Sequence, residues 1–191
     1  MRVFINPGHA RAGLPDPGAV NEALGLKECD IAMEIGSKTA RCLERAGCQV
    51  RLLQSHNHCG EAPGFQNVTA EANDWWADLF VSIHCNASRL HNARGFESYC
   101  YDVDSEAGKA AFFIQQEIYK GVRPFDPGFW DRGVKVERNF AVLRCTAMPA
   151  VLVEAGFIDN EGDALLLTGH SEEIAAAVAR GVTDWWGSPG A

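Results

Sequence analysis

The sequence predicts an α/β domain, a mainly parallel or mixed twisted sheet covered by helices on both faces. Three observations predict it. Short apolar runs, Val3-Phe4-Ile5, Leu79-Phe80-Val81-Ser82-Ile83 and Ala150-Val151-Leu152-Val153, read as buried strands. Segments of helical period alternate with them, as in α/β sheets. The chain has 191 residues, 47% hydrophobic and 22% charged, which suits one domain with one core.

The elements follow in order. After the first strand, residues 8–27 form a Gly/Pro loop too long to be plain connection. The first helix runs from Glu28 to about Ala46: Ile31, Ile35, Cys42, Leu43 and Ala46 lie near one face, and Gly47 stops it. Cys48 to Leu53 reads as a strand and residues 54–66 as a polar loop. Val68 to Ala77 reads as a helix leading into the strand that ends at Ile83. Gly95 to Tyr101 alternates and is rich in aromatics, which suits another strand. Ser105 is the expected cap of a helix reaching about Lys120. A Pro/Gly/aromatic loop covers 122–133, and Phe140 to Leu143 reads as a short strand. The run ending at Val153 is central by its apolar character. The last helix starts at Ser171, where Glu172 and Glu173 suit the dipole, and it buries Ile174, Val178, Val182 and Trp185. The domain is expected to span 1–187, with 188–191 as a tail or the start of a linker.

Charge and cysteine content exclude some classes. A net charge of -8 argues against nucleic acid as a partner, because phosphate binding needs a basic patch. No apolar run is long enough to span a bilayer, so no membrane insertion is expected. The first strand begins so early that no signal peptide is expected ahead of it. The chain is then either cytoplasmic as made or a domain cut from a longer, exported protein. Seven cysteines, an odd number in a chain too large to need stapling, predict reduced and mostly buried thiols.

Four polar residues carry the chemistry. His9, His84 and Glu154 each follow one of the apolar runs, and Glu28 opens the first helix. Ligands of open α/β sheets bind outside the carboxyl ends of the strands, so these side chains can meet in one crevice. Two histidines and a carboxylate make a catalytic zinc site with an open position, and a further carboxylate can serve as its base. Each residue also has a plainer reading. A loop histidine such as His9 is commonly a surface residue, and Glu28 suits a helix start. His84 suits a satisfied core histidine and Glu154 a structural ion pair. His56-Asn57-His58-Cys59 offers a rival structural metal site without a matching partner motif. His91 and His170 read as surface residues.

Asn6-Pro7-Gly8-His9, Asp16-Pro17-Gly18-Ala19, Gly25-Leu26-Lys27-Glu28, Ser82-Ile83-His84-Cys85-Asn86-Ala87 and Gly95-Phe96-Glu97 run in order along the chain. Arg132-Gly133-Val134-Lys135, Val142-Leu143-Arg144, Pro149 to Phe157 and Asn160 continue the series. In order and spacing the chain resembles the zinc-dependent N-acetylmuramoyl-L-alanine amidases of the Amidase_3 type, cell-wall hydrolases that include bacterial autolysins and phage endolysin catalytic domains. The resemblance implies a six-stranded, mostly parallel sheet. It implies one zinc ion held by His9, Glu28 and His84, with Glu154 as the catalytic glutamate. It implies cleavage between the muramic lactyl group and L-alanine, with peptidoglycan as the partner, acting at the cell wall. A monomer is expected, although the sequence itself does not give the oligomeric state.

Asn86 and Glu97 are expected neighbours of that site, Asn86 orienting a ligand or binding the peptide and Glu97 supporting a ligand from behind, with a purely structural role the equal alternative for both. Arg132, Lys135 and Arg144 are candidate contacts for acidic stem-peptide groups. The family usually has Asp where this chain has Asn6, which predicts an altered support of His9. Some family members insert an autoinhibitory helix after the His84-type motif, for which residues 88–94 leave no room. Another zinc amidohydrolase of cell-wall material and a non-catalytic peptidoglycan-binding protein are the competing readings. A binding protein has no reason to keep Glu154 beside the metal ligands. The setting leans toward an endolysin over a sporulation, division or autolysin enzyme.

Overall fold

A computed structural model describes residues 1–189. Gly190 and Ala191, the last two residues of the expected tail, lie outside the described residues. The elements among the described residues are β1 (Arg2–Pro7), a single 3-10 turn (Arg11–Gly13), β2 (Val20–Asn21), β3 (Leu26–Lys27), α1 (Glu28–Arg45), β4 (Gln49–Leu52) and α2 (Val68–Asp74). They continue with β5 (Leu79–Asn86), β6 (Phe96–Cys100), α3 (Glu106–Val122), β7 (Asp131–Val136), α4 (Ala141–Arg144), β8 (Ala150–Phe157), α5 (Glu161–Gly169) and α6 (Ser171–Trp186).

Six strands form one sheet in the order β4-β1-β5-β8-β6-β7, and β2 and β3 pair as a small hairpin inside the first long loop. All neighbours in the large sheet are parallel except β6 and β8. The central strands β1, β5 and β8 are buried on both faces, which is why they read as continuous apolar runs. One face packs Val3, Ile5, Val81, Ile83, Val151 and Val153 against α1, α3 and α6. The other packs Phe4, Phe80 and Leu152 against Val68 and Ala72 of α2 and Val142 and Leu143 of α4.

Four sequence expectations are corrected. Phe140 to Leu143 is not a strand; α4 occupies Ala141–Arg144. A four-residue apolar run carries no period that separates the two. The 122–133 loop ends inside β7, an edge strand whose Asp, Arg and Lys hide the apolar alternation. Helix α5 was not expected; it is separated from α6 by His170 alone. The thiols are not all reduced: Cys59 and Cys145 form a disulfide. Cys29, Cys85 and Cys100 are buried free thiols as expected.

No helix among the described residues is long and apolar enough to cross a membrane.

Candidate metal centre

His84 and Glu154 lie within the carboxyl-terminal halves of β5 and β8, not beyond them, and sit opposite each other in the β5–β8 register. His9 follows β1 by two residues with φ 66°, a left-handed conformation that a histidine adopts only when its surroundings impose it. Glu28 is the first residue of α1, which packs beneath β1 and β5. Strands and helix thereby bring all four predicted residues to one cavity of about 410 Å³. It also takes in Asn86 and His58, and an apolar wall of Phe140, Ala141, Val142 and Leu152.

Glu28 Oε1 is the centre of the contacts. His9 Nε2 lies 2.8 Å from it, His84 Nδ1 3.0 Å, and the Cys85 N–H donates to it at 3.0 Å. Glu28 Oε2 accepts from the Ala19 N–H at 2.8 Å. His9 Nδ1 faces Asp16 Oδ2 at 2.9 Å, which fixes the imidazole from behind. Asp16 is itself held by the Gly18 N–H. Two glycines make room for this packing. A Cβ on Gly8 would stand 2.6 Å from the His84 ring nitrogens, and one on Gly18 2.5 Å from Glu28 Oε2.

Donor atoms of His9, Glu28 and His84 lie within 4.8 Å of one another, so the three could hold a metal ion. Glu154 is not part of this group. Its Oε2 is enclosed and without a partner among the described residues.

The electrostatics separate the groups. Burial opposes the negative charge of Glu28, but hydrogen bonds and charge from His84 and His9 outweigh it and hold the carboxyl far below its usual range. Burial likewise opposes charge on His9, and Glu28 and Asp16 outweigh it, raising the imidazole to about 9. Glu154 has no such partner. Burial, with the charges of Glu28 and Glu97, pushes it up to about 8.

Glu97 lies opposite Glu154 in the β6–β8 register. It accepts from Asn86 Nδ2 at 2.7 Å, the Tyr99 hydroxyl at 2.7 Å, Arg132 Nε at 2.7 Å and Lys135 Nζ. Burial opposes its ionisation, yet these donors keep its pKa low. Asn86 thus touches the cavity but spends its amide on Glu97, and Arg132 and Lys135 are paired rather than free cations. Arg144 lines a different depression, with Tyr101, Ser105 and Glu106.

The hydrogen bonds of Asn6 do not go to His9. Asn6 is fully buried, donates to Leu53 and Pro7 carbonyls and accepts from Ser82 Oγ, tying the ends of three neighbouring segments. An Asp there could not donate to those carbonyls. The rival His56–Cys59 cluster does not assemble as a metal site, because the Cys59 sulfur is bonded to Cys145. His56 turns toward Asp16, 3.7 Å away, and His58 lines the cavity. His91 is exposed and pairs with Asp159; His170 stacks on Phe125.

Sequence reasoning gave no role to Asp16 or to His58 in the cavity. A carboxylate seven residues from a candidate ligand histidine, before Pro-Gly, was the available signal for Asp16. Nothing local marks His58, since its place depends on how the loop folds back.

Fold and site together define a sheet-based α/β domain with a three-residue group able to take up a metal beside a half-buried carboxylate whose Oε2 is unpartnered. The chain belongs to the Amidase_3 family, described as N-acetylmuramoyl-L-alanine amidase, whose family model matches residues 3–184. Similar proteins include the sporulation-specific N-acetylmuramoyl-L-alanine amidase of Bacillus subtilis (strain 168), 36% identical over 182 residues, 95% of this chain and 65% of that protein. The endolysin of Bacillus phage SPP1 is 36% identical over 188 residues, again 95% and 65%. The chain therefore spans about two thirds of the length of these relatives, 65% in both cases. Among solved structures, N-acetylmuramoyl-L-alanine amidase AmiC2 of Nostoc punctiforme matches with a TM-score of 0.83 and 30% identity, covering 98% of each chain.

Proposed function

We propose that this domain is a zinc-dependent N-acetylmuramoyl-L-alanine amidase that cuts the amide between the muramic lactyl group and L-alanine in peptidoglycan. The observation that carries the reading is the His9–Glu28–His84 group with the unpartnered Glu154 oxygen in the same cavity. Family membership and the relatives' names support it. The donor set fits zinc: two imidazoles and one carboxylate are the ligands of a three-residue catalytic site. When bound, zinc supplies Lewis-acid polarisation of the amide carbonyl and makes water acidic enough to attack near neutral pH.

The chain's own residues supply the rest. Glu154 takes a proton from the attacking water at its free carboxylate oxygen and passes it to the nitrogen of the departing amine. Asp16 holds His9 in one tautomer and orientation. Glu97, saturated by Asn86, Tyr99, Arg132 and Lys135, anchors the strand pair that aims Glu154. The apolar wall excludes water around the scissile bond. All four key residues come from one chain, so a monomer suffices, and the place of action is the cell wall.

The test is digestion of purified peptidoglycan with and without a chelator, reading products by mass spectrometry. Chelator-sensitive release of stem peptides beginning at L-alanine is the expected result. Absence of cleavage by the zinc-loaded protein, or cleavage at another bond, would overturn it.

A further inference from the structure

His58 is a cavity residue that the chemistry above leaves unused. It shares the cavity with His9, Glu28, His84 and Glu154 but is not one of the group that could hold a metal. Its Nε2 is enclosed and has no hydrogen-bond partner among the described residues. A buried polar atom in that state calls for a partner that the protein itself does not provide.

Three features fix the ring. Nδ1 lies 3.2 Å from Glu61 Oε1. Glu61 is immobilised in turn by the backbone N–H groups of His58 and Cys59, both at 2.7 Å. Beside it, Cys59 is bonded to Cys145, one residue past α4, whose Ala141 and Val142 form part of the facing wall. The carboxylate 3.2 Å from Nδ1 favours the proton on that nitrogen and the lone pair on Nε2. Burial favours the neutral ring and outweighs the opposing charge of Glu61.

We propose that His58 is a substrate-contacting residue of this cavity, its Nε2 accepting a hydrogen bond from an N–H or O–H donor of the muramyl peptide. The proposal rests on the amidase reading for the identity of the ligand. A neutral acceptor at this place suits an amide N–H or a sugar hydroxyl and gives nothing to a carbonyl oxygen. Loop residues 54–66, through His58, then contribute to substrate selection as well as to the cavity wall.

The test uses the full chain loaded with zinc and a soluble muramyl tripeptide. His58→Phe, similar in size and without an acceptor, is expected to raise KM about tenfold with kcat little changed. His58→Gln, which restores an acceptor, is expected to recover most of that loss. Zinc content and Tm of both variants should match the parent. Calorimetric binding of the tripeptide to Glu154→Gln and to Glu154→Gln/His58→Phe tests the contact independently of turnover. Tripeptides N-methylated at single amides identify the donor. A methylation that weakens the parent but not His58→Phe marks a peptide N–H; if no methylation does so while His58→Phe still binds weakly, the donor is on the sugar. Equal affinity for the Phe variant and the parent would overturn the proposal. Weak binding of the Phe variant by a protein that never cleaves would keep the contact and sink the amidase reading.

Discussion

Glu28 and Glu154 reach one cavity from different elements, α1 and β8, and meet opposite surroundings. On the α1 side, Glu28 has two histidines and two backbone N–H groups as partners, and it ionises far below the ordinary range. On the β8 side, Glu154 faces other carboxylates and apolar residues, and burial lifts it to about 8. The contrast teaches how two identical side chains are given separate jobs. In the proposed mechanism the satisfied one would be a metal ligand, already organised around two imidazoles. The unsatisfied one would carry the proton, because a carboxyl without fixed partners binds and releases a proton more readily near neutrality.

The sharpest way to break this comparison is to neutralise each carboxylate in turn. Glu154→Gln should lower turnover by about 10²–10⁴-fold while zinc, measured by atomic emission, stays bound. Glu28→Gln should lose activity as fully but lose zinc as well. Equal zinc retention by the two variants would erase the distinction. A smaller effect is expected one layer out. Asp16→Asn removes the charge behind His9 and should weaken zinc about 10–100-fold in a chelator competition, with Glu154 untouched.

The smallest effect is on stability, and its sign differs between the groups. In the metal-free protein His9, raised from 6.5 to about 9, contributes stability that is full below pH 6.5 and lost as the pH rises toward 9. Glu154, an acid raised from 4.5 to about 8, costs stability progressively between those values, as the unfolded chain ionises and the folded one does not. Glu28, held low, contributes stability above pH 4.5 that is lost on acidification. Thermal melts of chelated protein should therefore fall by a few degrees from pH 6.5 to 9. Glu154→Gln should flatten the part below pH 8. A melt that rises across this interval would contradict the assignment of both groups.

Legibility in the sequence followed the same division between sheet and loops. His84 and Glu154 stood out because buried strands announce themselves as apolar runs, and a polar residue breaking such a run near its end has few structural excuses. The central strands were readable as apolar runs, α1 and α6 by the period of their buried faces, and α3 by its Ser105 cap. What was hidden depends on contacts distant in sequence. β7 is an edge strand whose charged residues break up its apolar pattern, and only the fold shows that Arg132 and Lys135 turn to the buried Glu97. α4 is too short to show a period. The pairing of Cys59 with Cys145 spans 86 residues and could not be chosen from seven cysteines. His58 was read as a candidate ligand of the wrong cluster, because only the folded loop shows it turned to the cavity.

The Cys59–Cys145 bond closes a covalent ring that contains residues 88–94, the exposed stretch between β5 and β6. A protease that nicks this stretch divides the chain into one fragment bearing His9, Glu28 and His84 and another bearing Glu154. The disulfide keeps the fragments on a single molecule, so nicked protein would run as one band on a gel without reductant and as two with it. Cleavage there need not scatter the two halves of the site.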